Sequence, residues 1–183
     1  MNKIFFAILI GCSTLLSGQN IKSPSEFFGV ALGEEFHLHH QVIDYYHYLA
    51  EVAPDRVKVT QYGTTYEKRP LLLVYVSSAS NLSNLESIRT EHLKNLTGNS
   101  KADKAITWLS YNVHGNESVS TEASMLTIYK LLTDKSEYLN NVVVIMDPCI
   151  NPDGRDRYVT WYNQNKNQPF NVDPNSVEHH EGW

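Results

Sequence analysis

The sequence predicts an α/β fold with a mixed sheet, and three observations support that prediction. Two apolar segments, 57–62 and 71–77, flank a short polar connection that suits an antiparallel hairpin. Two more apolar segments, 106–113 and 141–150, are separated by a segment with helical periodicity at 120–132. A strand, a crossover helix and a second strand form a right-handed parallel unit. The hairpin and this unit together predict a mixed sheet covered by helices.

Length, composition and charge narrow the class of protein. A chain of 183 residues with 42% hydrophobic content is long enough for one domain with a substantial core. The formal net charge is -5, and the charged residues are scattered along the chain. Because nothing predicts a basic surface, we expect no nucleic-acid partner.

The amino terminus has the pattern of an export signal over residues 1–19. Lys3 is followed by seven apolar residues at 4–10 and then by small residues. Since this run is too short to span a bilayer, we expect no membrane span and an exported protein, secreted or periplasmic. One alternative stays open, because the residues before Cys12 resemble a bacterial lipobox that would leave a lipid anchor on that cysteine.

The chain after the signal begins with a segment at 21–34 that we expect to be an extended arm. An amphipathic helix is predicted at 35–53 and a second helix at 81–96, from apolar residues that recur every three to four positions. The first helical region holds four histidines, none of them spaced i, i+4 as a metal-binding pair on a helix would be. We expect these histidines to be solvated: His37, His39, His40 and His47.

Polar clusters follow both strands of the parallel unit. His114 and Glu117 come directly after the first strand, and the Asn-Pro-Asp-Gly segment 151–154 follows the second. An imidazole and a carboxylate three residues apart can bind one zinc ion, although the spacing alone is weak evidence. Chemistry in such sheets lies beyond the carboxyl ends of the strands. The coincidence of two clusters there predicts a functional site.

The remaining residues carry weaker signals. Cys149 follows an apolar strand without a matched base nearby, so we expect a small buried residue and no nucleophile. Residues 155–183 are polar and aromatic without clear periodicity, and we expect a long irregular segment there. We expect this segment to be either a functional loop or a part of the protein that continues into further chain.

Four motifs in order make the sequence similar to the zinc carboxypeptidases of the carboxypeptidase A-like superfamily. They are the hairpin segment 62–70, the His-Gly-Asn-Glu segment 114–117, the helix start 121–123 and the segment 151–154. The resemblance implies that residues 20–183 are the amino-terminal part of a truncated catalytic domain. Its sheet is expected to be mixed and mostly parallel, with helices on both faces. Lys68 stands where relatives often have glycine, which we expect to alter only turn geometry.

The resemblance also implies the chemistry. His114 and Glu117 would be two of three protein ligands of one Zn2+ in a metallocarboxypeptidase that hydrolyses carboxy-terminal bonds of peptide or protein substrates. Asn116, Arg155 and Arg157 are candidate substrate contacts. Asn116 stands where the digestive enzymes have an arginine, and the two arginines follow the Asn-Pro-Asp-Gly segment. Solvated loop arginines are an equal alternative for that pair.

The family's third ligand, a histidine, and its general-base glutamate have no match before Trp183. We expect both beyond it, so the catalytic residue is unknown and the chain as given is expected to have little or no peptidase activity. Segment 172–175 resembles the stretch with the family's carboxylate-binding Asn-Arg pair, but Ser176 stands at the arginine position. As an alternative, residues 179–181, His-His-Glu, would replace the missing ligand and base. Adjacent residues on an extended segment point in opposite directions, so at most one of the two histidines would face the metal.

Two alternative functions remain. Related folds remove acyl groups from amino acids or trim cell-wall peptides, so a zinc-dependent deacylase or murein peptide hydrolase is one. A non-catalytic binding module that keeps the fold without the chemistry is the other.

Overall fold

The computed structural model describes residues 20–98 and 101–166. The predicted export signal with Cys12, and everything predicted for 167–183, lie outside the described residues. The strands are β1 Val57–Thr64, β2 Pro70–Val76, β3 Ala105–Ser110 and β4 Val142–Asp147. The helices are α1 Pro24–Phe28, α2 His39–Val52, α3 Ala79–Ser83, α4 Leu85–Leu96, α5 Val119–Leu132 and α6 Pro152–Asn165, with a 3-10 helix at Ser136–Asn140. None of these described helices is long and apolar enough to cross a membrane.

The four strands form one mixed sheet in the order β1-β2-β4-β3. β1 and β2 make the predicted antiparallel hairpin, and β3 and β4 make the predicted parallel pair. β2 also pairs with β4 in the antiparallel direction. The α/β fold and the mixed sheet are therefore confirmed. In the described part of the chain two of the three strand pairs are antiparallel, because the hairpin joins the parallel unit through β2.

Helices cover both faces of the sheet, as predicted. On one face Val74 and Met146 contribute to the main core, together with residues of α2 and α5. On the other face Tyr75 and Ile145 line a groove beneath Ile88 of α4. Strand side chains alternate between faces, so the register that pairs Val74 with Met146 assigns both to the same side.

The main core is rich in aromatic side chains from α2. Tyr45, Tyr46 and Leu49 are fully buried against Met125 and Ile128 of α5. Removing an apolar side chain of this size from water contributes about 1.5–3 kcal/mol. The Tyr46 hydroxyl donates to Ser124 Oγ at 2.8 Å, so its burial leaves no orphaned polar group.

The predicted extended arm at 21–34 is wrong in one part, because it contains α1. Ser23 caps this helix in a reciprocal capping box with Glu26, and Pro24 is its first residue. Gly29, with φ of 74°, ends it. The helix predicted at 81–96 is present as α3 and α4, which are separated at Asn84.

The irregular segment predicted from residue 155 onward is also wrong over its first part, where α6 lies. Asn151 caps α6 by accepting a hydrogen bond from Gly154 N at 3.0 Å, and Pro152 is the first helical residue. Apolar periodicity did not predict this helix, because its buried face includes a charged side chain, Arg155, beside the apolar Val159.

Two of the four histidines predicted to be solvated are buried. His37 and His39 are each 2% exposed, whereas His40 and His47 are exposed as predicted. His39 Nε2 donates to the Pro70 carbonyl at 2.8 Å, and burial lowers the pKa of this imidazole. The prediction failed because the partners of both buried histidines lie far away in sequence.

Candidate metal centre

The two polar clusters meet at one edge of the sheet. Backbone hydrogen bonds join the connections that follow β3 and β4, from Ile150 N to Tyr111 O at 3.0 Å and from Asn151 N to Asn112 O at 3.1 Å. Asn112 has φ of 56°, a left-handed conformation that turns the chain out of the strand. β3 therefore ends at Ser110, three residues before its predicted end, and the chain turns toward α5.

His114 and Glu117 lie on this turn with their side chains open to solvent. The imidazole is 46% exposed and the carboxylate 63% exposed, and His114 Nδ1 lies 3.3 Å from Glu117 Oε1. Two donors that share one tetrahedral zinc ion at 2.0–2.2 Å are separated by about 3.4 Å. The pair thus fits a single metal ion. No group of three or more His, Cys, Asp or Glu side chains suited to a metal exists within 20–98 and 101–166.

The three predicted substrate contacts occupy different environments. Asn116 is partly buried between the two metal-ligand candidates in sequence. Arg157 is exposed on α6 and pairs with Glu67 of the β1–β2 connection. Arg155 is fully buried, with both terminal nitrogens of its guanidinium hydrogen-bonded inside the protein. In this structure its side chain is not accessible to a substrate.

Behind the turn lies a buried charged cluster formed by His37, Glu122 and Arg155. Glu122 accepts hydrogen bonds from His37 N at 2.9 Å and from Arg155 Nη2 at 2.6 Å, and its second oxygen lies 2.9 Å from His37 Nδ1. Burial by itself raises the pKa of Glu122. The His37 hydrogen bond and the Arg155 charge outweigh it and hold that pKa below its usual value.

This cluster is hard to predict from the local sequence. Glu122 stands in the first turn of α5, where an acidic residue ordinarily remains in solvent and interacts with the helix dipole. Asn112 carried a weak signal, because asparagine is enriched in left-handed conformations such as the one that ends β3. The local sequence at neither position predicts burial. Their burial depends on partners that α6 and the segment before α2 contribute.

Asp147 is the last residue of β4, and Cys149 lies two residues after it. Asp147 is 4% exposed and accepts a hydrogen bond from the Tyr62 hydroxyl at 2.7 Å. Burial raises the pKa of this carboxyl. Cys149 is 1% exposed, as predicted, and burial raises the pKa of its thiol to about 12. A thiol that stays protonated at neutral pH is a poor nucleophile.

The fold and the paired side chains define a class: α/β proteins that place a His–Glu pair, a candidate for metal binding, at the carboxyl ends of sheet strands. Within it, residues 42–183 match the zinc carboxypeptidase family, and the chain belongs to that family.

Individual relatives agree with this assignment. Carboxypeptidase A4 of Mus musculus is 30% identical over 137 residues, which are 70% of this chain and 27% of that protein. The crystal structure of carboxypeptidase A from Helicoverpa armigera is similar in fold, with a TM-score of 0.56, 24% identity and coverage of 73% of this chain and 29% of that one. Thrombin activatable fibrinolysis inhibitor gives a TM-score of 0.53 at 20% identity, covering 76% and 30%. The chain spans less than a third of the length of these relatives.

Proposed function

We propose that this chain supplies two zinc ligands, His114 and Glu117, to a metallocarboxypeptidase that removes residues from the carboxyl terminus of peptides. The observation that carries the proposal is the 3.3 Å approach of His114 Nδ1 to Glu117 Oε1 at the end of a parallel strand. Membership of the zinc carboxypeptidase family supports it. The third ligand and the general base belong, in this proposal, to residues outside the described ranges.

The residues of this chain have distinct tasks in the proposed reaction. His114 and Glu117 would hold the metal, and the imidazole Nδ1 is the ring atom that lies nearest to the Glu117 carboxylate. A zinc ion held there would supply Lewis acidity for polarising a carbonyl and activating a water molecule. Asn116, which lies between the two ligands in sequence, and Arg157 are the substrate contacts in this proposal. Arg157 offers an exposed cation for a substrate carboxylate, although Glu67 competes for it.

Zinc titration tests the site directly. We expect calorimetry of the purified protein to show one zinc-binding event, and we expect His114→Ala or Glu117→Ala to abolish or strongly weaken it. His47→Ala is the matched control, because His47 is an exposed imidazole on α2. Binding that survives both ligand substitutions would exclude the proposed site and would favour the non-catalytic module.

Activity tests the complete enzyme. We expect the full-length protein to release carboxy-terminal amino acids from peptides in a zinc-dependent manner, and the 183-residue chain to release few or none. Acyl-amino acids and murein fragments are assayed in parallel, since cleavage of these alone would replace the carboxypeptidase proposal by one of its alternatives. Robust peptide cleavage by the 183-residue chain would show that the missing groups lie within it.

We also propose that the protein is exported, on the pattern of residues 1–19. Mass spectrometry of the mature protein is expected to find an amino terminus near residue 20. A lipid-modified Cys12 at the mature terminus would establish the anchored alternative.

A further inference from the structure

Arg155 contacts the metal-binding turn on both sides of the ligand pair. We propose that it is a positioning residue, which holds the turn of His114 and Glu117 in place through Asn112 and Ser118. The inference rests on the metal site proposed above. It gives Arg155 a different task from substrate binding.

The contacts of Arg155 are directed at the two ends of the turn. Its Nη1 donates to Asn112 Oδ1 at 3.0 Å and to the Ser118 carbonyl at 2.6 Å. Asn112 stands two residues before His114, and Ser118 stands one residue after Glu117. One nitrogen atom therefore connects both flanks of the His-x-x-Glu segment.

The amide of Asn112 passes this restraint on to the turn. Arginine only donates hydrogen bonds, so the Asn112 atom that faces Arg155 must be the oxygen. The Thr121 hydroxyl lies 2.9 Å from the same oxygen. The amide nitrogen therefore faces the turn, where it donates to the carbonyls of His114 at 2.6 Å and Gly115 at 3.3 Å.

The buried cluster orients the guanidinium. Its Nη2 donates to Glu122 Oε1 at 2.6 Å and to the His37 carbonyl at 2.7 Å, and the side chain is fully buried. Burying a charge is costly unless it is paired and hydrogen-bonded, and Glu122 provides the pairing. Lysine would keep the charge but lacks the planar fork that reaches both groups of acceptors.

Arg155→Lys is the first test. We expect zinc affinity to fall about 10–100-fold, the usual effect of removing a group that orients metal ligands. The far-UV circular dichroism is expected to stay that of the folded protein. The visible absorption of the Co2+-substituted protein is expected to change, because the ligand geometry changes. Arg89→Lys, in the exposed pair with Glu86 on α4, is the control and should alter neither quantity.

Asn112→Gly is the second test, and it keeps the Arg155–Glu122 ion pair. Glycine tolerates the φ of 56° and removes only the amide, so the expected loss of zinc affinity is similar. Asn112→Asp is expected to lose more, because a carboxylate oxygen would face the His114 carbonyl. If Arg155→Lys does not fold, the two Asn112 variants decide.

Two outcomes separate this inference from the proposed function. Wild-type zinc affinity and Co2+ spectrum in Arg155→Lys and Asn112→Gly, with binding lost in His114→Ala, would overturn the positioning role and leave the metal site intact. Binding that is unaffected by His114→Ala and Glu117→Ala would overturn the metal site, and the positioning role with it.

Discussion

Glu122 carries the carboxylate of the buried cluster. Its side chain is 4% exposed and pairs with Arg155, which is 0% exposed. Removing one partner of a buried pair leaves the other charge uncompensated. We therefore expect Glu122→Gln to lower the free energy of unfolding at pH 7 by about 3–5 kcal/mol in urea denaturation. Glu86→Gln, in an exposed pair, is the control and should leave the midpoint unchanged.

The difference in stability between the wild-type protein and Glu122→Gln is expected to depend on pH. The pKa of Glu122 lies below its ordinary value of 4.5 in the folded protein, so the ionised form is the one that folding favours. Its contribution is complete above pH 4.5 and is lost as the pH falls through the folded pKa. Urea midpoints measured at pH 7, 5 and 3.5 should thus show the two proteins converging below pH 4.5. A difference independent of pH would contradict the assignment.

The ionisation of Asp147 is expected to have the opposite effect on stability from that of Glu122. Burial raises the pKa of its carboxyl, although the Tyr62 hydrogen bond opposes the shift. Folding therefore favours the protonated form, and ionisation at pH 7 costs stability. We expect Asp147→Asn to raise the thermal midpoint at neutral pH, with an advantage that shrinks as the pH falls toward 3.8, the ordinary value. Asp55→Asn, at an exposed position, is the control, and a lower midpoint for Asp147→Asn at pH 7 would refute this account.

Among the elements, the β1–β2 connection and α6 are joined by Arg69. Its Nη1 lies 2.8 Å from Asp153 Oδ1 and its Nε lies 2.6 Å from Asp156 Oδ2. Thr65 also donates to Asp153, at 2.7 Å. These partly buried contacts hold the start of α6 against the hairpin, and α6 carries Arg155.

We expect Arg69→Met to lower the free energy of unfolding by about 1.5–3 kcal/mol, the usual contribution of a hydrogen bond to a charged group. Methionine keeps much of the apolar stem and removes the ion pairs with Asp153 and Asp156, together with a more exposed one with Glu67. Arg157→Met removes an exposed pair with Glu67 and should cost about 0–1 kcal/mol. Equal losses in the two variants, measured by urea denaturation, would show that the Arg69 contacts contribute no more than a surface pair.

The elements also show what local sequence predicts and what it does not. All four strands were predicted, because each is marked by a run of apolar and β-branched residues in the chain itself, even β3, none of whose residues is buried. α6 was missed, since its buried surface includes the guanidinium of Arg155. Lys68 was recognised as a departure from glycine, and its φ of 68° shows why glycine suits that turn position.

The candidate site also has one part that local sequence predicts and one part that it does not. The His-x-x-Glu spacing is local, and its place after a strand was predictable from three neighbouring segments. The supporting cluster is not local, because His37 and Glu122 are 85 positions apart and His37 and Arg155 are 118 apart. Charged residues ordinarily remain in solvent, so their burial becomes visible only when the fold brings their partners together.

At the scale of the whole molecule, the two faces of the sheet are packed unequally. The main core joins α2, the sheet and α5 in one buried cluster, and Ile88 of α4 is not part of it. On the other face a groove of about 570 Å³ lies between α4 and the strands. Leu93 and Leu96 of α4 are 51% and 83% exposed. Among residues 20–98 and 101–166, little apolar burial holds α4 to the sheet.

This asymmetry predicts that α4 opens separately from the main core. Regions with few buried apolar contacts open at lower free energy than the global transition, so amide hydrogen exchange should be faster in α4 than in α5. Ile128→Ala creates a cavity in the main core and should cost about 2–5 kcal/mol. We expect it to lower the protection of α2, the sheet and α5 by that amount and to leave α4 almost unchanged. An equal decrease in α4 would mean that both faces unfold as one cooperative unit, whereas Leu96→Ala, at an exposed position, should alter neither face.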